Sequence, residues 1–174
     1  MYSKDISIPQ EVTCEVSLSR VSISGAKGRI EKSLNLPKDT KMEKLDSKVK
    51  ISTENERRKS KAIVGTAIAR IRNMIEGVQK GYTYRLKVVY AHFPVTVKVE
   101  KDKVLIQNFL GERAPRVAKI VGKVEVKVDG QDITITGIDV DEVGLTSHNL
   151  EQATRRTGFD KKVFQDGIYL SSRE

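Results

Sequence analysis

VTCEVSLSRVSIS at 12–24 and VTVKVEKDKVLIQ at 95–107 are the two stretches on which the architecture turns. Laid together at a shift of 83 residues (95 − 12), they set Val12, Thr13, Val16, Val21 and Ile23 over Val95, Thr96, Val99, Val104 and Ile106. Apolar and polar residues alternate in both, the period of a strand with one buried face. In the first, Val12, Cys14, Val16 and Leu18 make up the apolar set, and Val21 and Ile23 resume it in VSISG. Valine-rich strands look alike, so one such match is weak by itself. The preserved order of the later elements carries more weight. VKIS at 49–52 lies over ITIT at 133–136 at a shift of 84 (133 − 49), and a helical period comes after each. The expectation is an α+β protein of two similar lobes from an internal duplication. Each lobe is a small, mainly antiparallel sheet with a helix packed on one face. The lobes are expected at 1–81 and 82–174.

The turn and cap signals fit this plan. Gly25 and Gly28 mark a tight turn after the first pair of strands. From about 57 to 79, Ile63, Ala67, Ile71 and Ile75 fall on one helical face, joined by Val64, Ile68 and Val78. Thr53 and Glu56 have capping-box spacing, and Gly81 is placed to end the helix. In the second copy Asp139 and Glu142 form the box and Gly158 lies where a C-terminal cap is expected. YTYRLKVVYAHF at 82–93 reads as a strand-rich bridge, which would hold the lobes at a fixed angle.

The 174 residues include 32 basic and 23 acidic side chains, a net charge of +9. Such an excess favours a polyanionic partner. Nucleic acid suits it better than a membrane surface, because no basic amphipathic helix with bulky apolar anchors is present. Residues 1–81 hold 17 basic and 10 acidic residues (17 − 10 = +7), and the remainder 15 and 13 (15 − 13 = +2). Charge alone points to the first half as the binding surface. The single cysteine, Cys14, cannot form an internal disulfide and reads as a buried core thiol in a reduced, cytoplasmic compartment. No apolar run approaches the ~20 residues of a bilayer span, and MYSKDISIPQ has no hydrophobic signal core.

Little here points to catalysis. His92 and His148 are the only histidines, and neither has a second ligand at metal-site spacing. His148 suits a solvated or helix-packing role. Asp139, Asp141 and Glu142 precede a helix, where capping and the helix dipole account for them. Phosphate loops, dinucleotide fingerprints and nucleophile elbows are missing from the sequence, so no enzyme, cofactor or metal is expected. Basic residues beside glycines stand out instead. Lys27 lies in GAKG. Arg113 and Arg116 lie in FLGERAPR, a polar loop inserted between strands of the second lobe. Arg155 and Arg156 end the second helix, and Lys161 and Lys162 follow Gly158. Guanidinium forks bind phosphate in bidentate fashion, and glycines let backbone approach closely. The plainer reading of Arg155 and Arg156 is that they complement a helix C-terminus. ERRKSK at 56–61 reads as a solvated helix start. The 5 Tyr and 4 Phe form no set suited to stacking single-stranded bases, so phosphate, ribose and shape recognition of folded RNA is expected.

Several longer stretches carry a family resemblance: VSISGAKG, GTAIARIRNMIEGVQKGYTYRLKVVYAHFP, VLIQNFLGERAPR, DITITGIDVDEVGLTSHNLEQATR and VFQDGIYL. With these the chain resembles the large-subunit ribosomal protein L-six family in its archaeal and eukaryotic branch. The resemblance implies a duplicated α+β fold without catalysis, in a cytoplasmic large ribosomal subunit. It implies direct binding to large-subunit rRNA near the stalk base and the sarcin–ricin region, where translation factors dock. Neighbouring ribosomal proteins of the stalk base are the implied protein partners, with no membrane, small-molecule substrate or functional homo-oligomer. In this family the second lobe makes much of the rRNA contact, which displaces the inference from charge. Carried onto matching positions, the RNA-binding residues are His92 in the AHFP turn, Asn108, Arg113 and Arg116 in the NFLGERAPR loop, and Arg155, Arg156, Lys161 and Lys162. Gln165 to Gly167 belong to the family's tail motif. Ala26 stands where the family has proline, and Leu145 and His148 where it has glutamine and a small residue. The rival from another class is a basic protein–protein adaptor with no dependence on RNA; a hydrolase would need a cluster of titratable groups that the sequence does not display.

Overall fold

The period-two runs fold into short antiparallel ladders. The computed structural model describes every residue except Met1, Leu18, Ser19, Lys38, Asp46, Glu56 and Lys161. It divides the chain into two units, Met1–Gly81 and Tyr82–Glu174. The first contains β1 (Tyr2–Ser7), β2 (Thr13–Val16), β3 (Arg20–Gly25), β4 (Gly28–Ser33), β5 (Thr40–Leu45), β6 (Lys48–Thr53) and α1 (Arg58–Gln79). They form two sheets, in the orders β1-β6-β5 and β2-β3-β4. The single sheet expected for a lobe is thus two, because β1 and β5 flank β6 while β2, β3 and β4 pair only with one another.

The core is built from the inward face of each ladder and one face of α1. Cys14, Val21, Ile23, Val49 and Ile51 are at most 1% exposed, and α1 buries Val64, Ala67, Ile68, Ile71, Met74, Ile75 and Val78. Each large aliphatic side chain so buried contributes roughly 1.5–3 kcal/mol. The helix stops as anticipated: Gly81 adopts φ +75 and its N–H donates to Gly77 O at 3.0 Å. Its start differs. The N-cap is Arg57, with no side-chain cap bond; Thr53 ends β6 and its hydroxyl exchanges bonds with Asn55, while Glu56 lies outside the described residues. The GAKG turn packs on the helix end. A Cβ at Gly25 would lie 2.8 Å from Val78 Cγ2, Lys27 N–H donates to Val78 O at 2.9 Å, and the Lys27 ammonium donates to Lys80 O.

The second unit repeats the plan with β7 (Tyr82–Val89), β8 (Thr96–Val99), β9 (Lys103–Gln107), β10 (Arg116–Lys119), β11 (Glu125–Asp129), β12 (Asp132–Gly137), α2 (Val140–Ala153) and a last strand, β13 (Gly167–Arg173). Its sheets run β10-β9-β8 and β11-β12-β7-β13. YTYRLKVV is therefore no bridge. It is a central strand of the second unit, with Leu86 and Val88 in the core. Asp139 caps α2, its side chain accepting from Asp141 N–H at 2.9 Å, and Glu142 accepts from Lys123 N–H at 3.0 Å. The helix ends earlier than expected, at Ala153 with Thr154 as cap. Gly158 (φ +82) sits in the loop beyond, so Arg155 and Arg156 follow the helix instead of ending it. The Thr154 hydroxyl donates toward Leu150 O and Glu151 O and accepts from Ile168 N–H, which terminates the helix and joins it to β13.

Register establishes the duplication more firmly than identity does. In β2–β3, Thr13 pairs with Ser24 and Val16 with Val21; in β8–β9, Thr96 pairs with Gln107 and Val99 with Val104. All four positions differ by 83 (96 − 13). The β5–β6 and β11–β12 ladders match at 84: Leu45 faces Lys48, and Asp129 faces Asp132. The copies diverge at β13, which has no counterpart in the first unit, and at one hairpin. Gly25 pairs with Gly28 across a two-residue turn, whereas β9 and β10 are joined by the longer loop 108–115.

Candidate nucleic-acid interface

The 108–115 loop is held by its buried anchor. Phe109 is 1% exposed, and the residues around it take left-handed backbone: Asn108 at φ 59, Leu110 at φ 50 and Gly111 at φ 75. Asparagine and glycine tolerate that region, but a leucine there is strained by about 1–2 kcal/mol. Core burial of Phe109 keeps the chain in place. Asn108 Nδ2 donates to Pro94 O at 3.0 Å, and the Phe93 ring lies 3.3 Å from where a Gly111 Cβ would stand. The AHFP turn and the NFLGERAP loop are thereby joined.

Arg116 locks the loop to the end of α2. Its guanidinium forms a two-pronged pair with Glu112 at 2.5 and 2.8 Å and lies 4.5 Å from the Phe109 ring centroid. It also donates to Ala153 O at 3.0 Å and Arg155 O at 2.9 Å. The hydrogen bonds from Arg116 hold the Glu112 carboxyl below its usual range, and the same bonds to Glu112 push the Arg116 guanidinium above its own. In the first unit Lys27 serves the same purpose at the end of α1, so each copy uses a hairpin cation to satisfy its helix's last carbonyls.

The tail closes on the same region. Asp166 is fully buried; one carboxylate oxygen accepts from Ala91 N–H at 3.4 Å and lies 3.6 Å from His92 Nδ1. Arg156 donates to Asp166 O at 2.6 Å and to the Tyr169 hydroxyl at 2.8 Å, and Tyr169 donates onward to Gln165 O at 3.1 Å. His92 stacks on Phe164 at 4.6 Å between centroids, and Phe159 meets Phe164 edge-on at 5.0 Å. Aromatics dispersed along the chain thus gather in space, with Phe93 and Phe159 well exposed. That grouping depends on the tail returning to the AHFP turn, for which the sequence offers no spacing signal.

The anticipated basic residues fall into two groups. Arg116 and Arg156 are tied into the protein. Arg113, Arg155 and Lys162 are exposed, and among the described residues their side chains have no hydrogen-bond or ion-pair partner. His92 and Asn108 are exposed at the join between turn and loop; Lys161 lies outside the described residues. Among the described residues there is no group of three side chains able to hold a metal ion, and no helix is long and apolar enough to cross a membrane.

Fold and surface together define a class: a duplicated α+β scaffold whose second copy displays cations from a braced loop and the segment after a helix. The family model described as "Ribosomal protein L6" matches residues 8–81 and again 93–167, one match in each unit. A relative from Methanobrevibacter smithii is 47% identical over 171 residues, spanning 98% of this chain and 96% of its own length. One from Desulfurococcus amylolyticus is 48% identical over 170 residues, with 97% and 92% covered. A third, from Methanothrix thermoacetophila, is 48% identical over 165 residues, with 95% and 93% covered. All three are described as "Large ribosomal subunit protein uL6". This chain belongs to the ribosomal protein L6 family.

Proposed function

We propose that this protein is a structural constituent of the large ribosomal subunit. Its second unit binds large-subunit rRNA near the stalk base and the translation-factor docking region, beside the ribosomal proteins of that base. The observation that carries the contact is the loop 108–115. Its backbone is strained at Leu110 and pinned by Phe109, and it presents Arg113 free while Arg116 braces it from beneath. Strain of this kind persists where a display geometry is required. Arg155 and Lys162 supply further phosphate contacts, His92 and Asn108 set the adjoining turn, and Arg156 fixes the segment from which Arg155 projects.

Phosphate neutralisation of this kind makes affinity depend on salt. Arg113→Ala should leave stability within about 0.5 kcal/mol of the parent and lower the slope of log affinity against log salt by roughly 1. The measurement is filter binding to deproteinised large-subunit rRNA. An unaltered slope would remove Arg113 from the interface. Sedimentation of a native lysate with and without ribonuclease separates this reading from an RNA-independent adaptor, for which association with partners would survive digestion.

A further inference from the structure

The duplication provides its own control for reading the surface. In β2-β3-β4 the core-facing residues include Cys14, Val21, Ile23 and Ile30, so Glu15, Arg20, Ser22, Arg29 and Glu31 line the outer face. That face neutralises itself: Arg29 pairs with Glu15 at 3.2 Å and bonds Ser22 Oγ at 2.7 Å, and Arg20 pairs with Glu31 at 3.7 Å. Two cations meet two anions.

The equivalent face of β10-β9-β8 has lost its acids. The 83-residue correspondence sets Lys98 at the place of Glu15, Lys103 at Arg20 and Leu105 at Ser22. Across the hairpin, where Ile30 matches Arg116 (116 − 30 = 86), Val117 replaces Glu31 and Lys119 replaces Ser33. Lys98, Leu105 and Val117 stand side by side across the three strands. Lys103 pairs with Glu100 of the neighbouring turn at 3.1 Å, and Asp102 lies in that same turn. Lys98 and Lys119 are exposed, and among the described residues their side chains have no partner. Val117, on the same strand as Lys119 and across Leu105 from Lys98, is 52% exposed.

We infer that this outer sheet face is a second contact for the sugar–phosphate backbone of the ribosomal RNA, continuous with the Arg113 loop. The inference rests on the rRNA-binding reading. Charge complementarity selects the occupant: two unpaired lysines and no acid within the ladder suit phosphates, and Val117 and Leu105 suit the ribose carbons between them. Continuity sets the path. β9 runs from the turn beside Lys103 up to the 108–115 loop, and at about 3.3 Å per residue its length spans roughly two phosphate spacings. The first unit's face, whose charges already satisfy one another, takes no RNA.

Three double variants of the full chain test this, with deproteinised large-subunit rRNA as the probe and binding measured over a range of salt. Lys98→Gln with Lys119→Gln should lower the salt slope by about 2, additive with Arg113→Ala. Arg20→Gln with Arg29→Gln removes the same formal charge from the first unit's face and should leave the slope unchanged. Lys98→Arg with Lys119→Arg should retain parental binding, which separates charge loss from misfolding. If Arg113→Ala lowers the slope and the lysine pair does not, the sheet face is no RNA contact and only this inference falls. Equal shifts of the slope by the two glutamine double variants would overturn it as well. So would a lysine pair that spares rRNA binding but releases an acidic ribosomal protein from reconstituted particles. If neither Arg113→Ala nor the lysine pair alters the slope, the rRNA-binding reading falls with it.

Discussion

Arg116→Ala separates a bracing role from a binding role most sharply. The side chain is 26% exposed and its guanidinium supports five contacts at once: the two-pronged pair with Glu112, the bonds to Ala153 O and Arg155 O, and the Phe109 ring. The two carbonyl bonds contribute about 1 kcal/mol each. The Glu112 pair, discounted because Glu112 is 42% exposed, and the ring contact add about 0.5 kcal/mol each. The variant should therefore be destabilised by ~3 kcal/mol in urea denaturation followed by circular dichroism, whereas Arg113→Ala should be close to neutral. The deficit also has a pH signature. Arg116 holds the Glu112 carboxyl below its ordinary value of 4.5, so this contribution is complete above that pH. It disappears as the medium is acidified through the lower folded-state value. The gap between parent and Arg116→Ala should narrow in acid. A loss under about 0.5 kcal/mol, or a gap that widens on acidification, would refute the bracing role and leave Arg116 free for RNA.

Three further outcomes rest on local geometry. Gly25→Ala drives a methyl to 2.8 Å from Val78 Cγ2 and should cost about 1–3 kcal/mol, read as a lower urea midpoint at unchanged m-value. Gly65→Ala, in the interior of α1 with nothing within 4 Å of the added carbon, should instead stabilise the fold by about 0.5–1 kcal/mol and raise the midpoint. Cys14 is 1% exposed, and burial pushes its thiol above the usual value. A thiol-specific disulfide reagent should therefore react with it only after denaturant is added, and immediate reaction with the folded protein would place it outside the core.

The sequence is most readable where periodicity and burial coincide. The run of α1 shows its apolar face plainly, and the copies of the β2–β3 hairpin match because both alternate about one buried side. Strands β1 and β5 are harder to see. YSKDIS and TKMEKL lie at the edges of their sheet, largely exposed, so solvent imposes no alternation on them and their charges suit an edge. β7 reads as a bridge because its partner strands lie some 50 and 85 residues further on: Leu86 pairs with Ile133 and Leu170. The site is legible as a set of residue types in loops, but the division of labour among its arginines is not. What separates Arg116 from Arg113 is the position of the carbonyls of Ala153 and Arg155, which no local spacing encodes. The gathering of His92, Phe159 and Phe164 is hidden for the same reason.

Strand β13 bears on how the polypeptide emerges from synthesis. The ladders of the first half join strands drawn wholly from residues 2–53, and α1 is complete by residue 79. At roughly 5–20 residues per second, that half has on the order of 5–19 s to consolidate while residues 80–174 are translated. The other half starts with the strand on which its larger sheet is centred, yet β7 acquires its second neighbour only when residues 167–173 appear. Pairings between such distant segments form late and slowly. In the interval, one side of β7 offers unsatisfied amides and carbonyls, making the nascent carboxyl-terminal half the stage most exposed to aggregation and most dependent on chaperone protection.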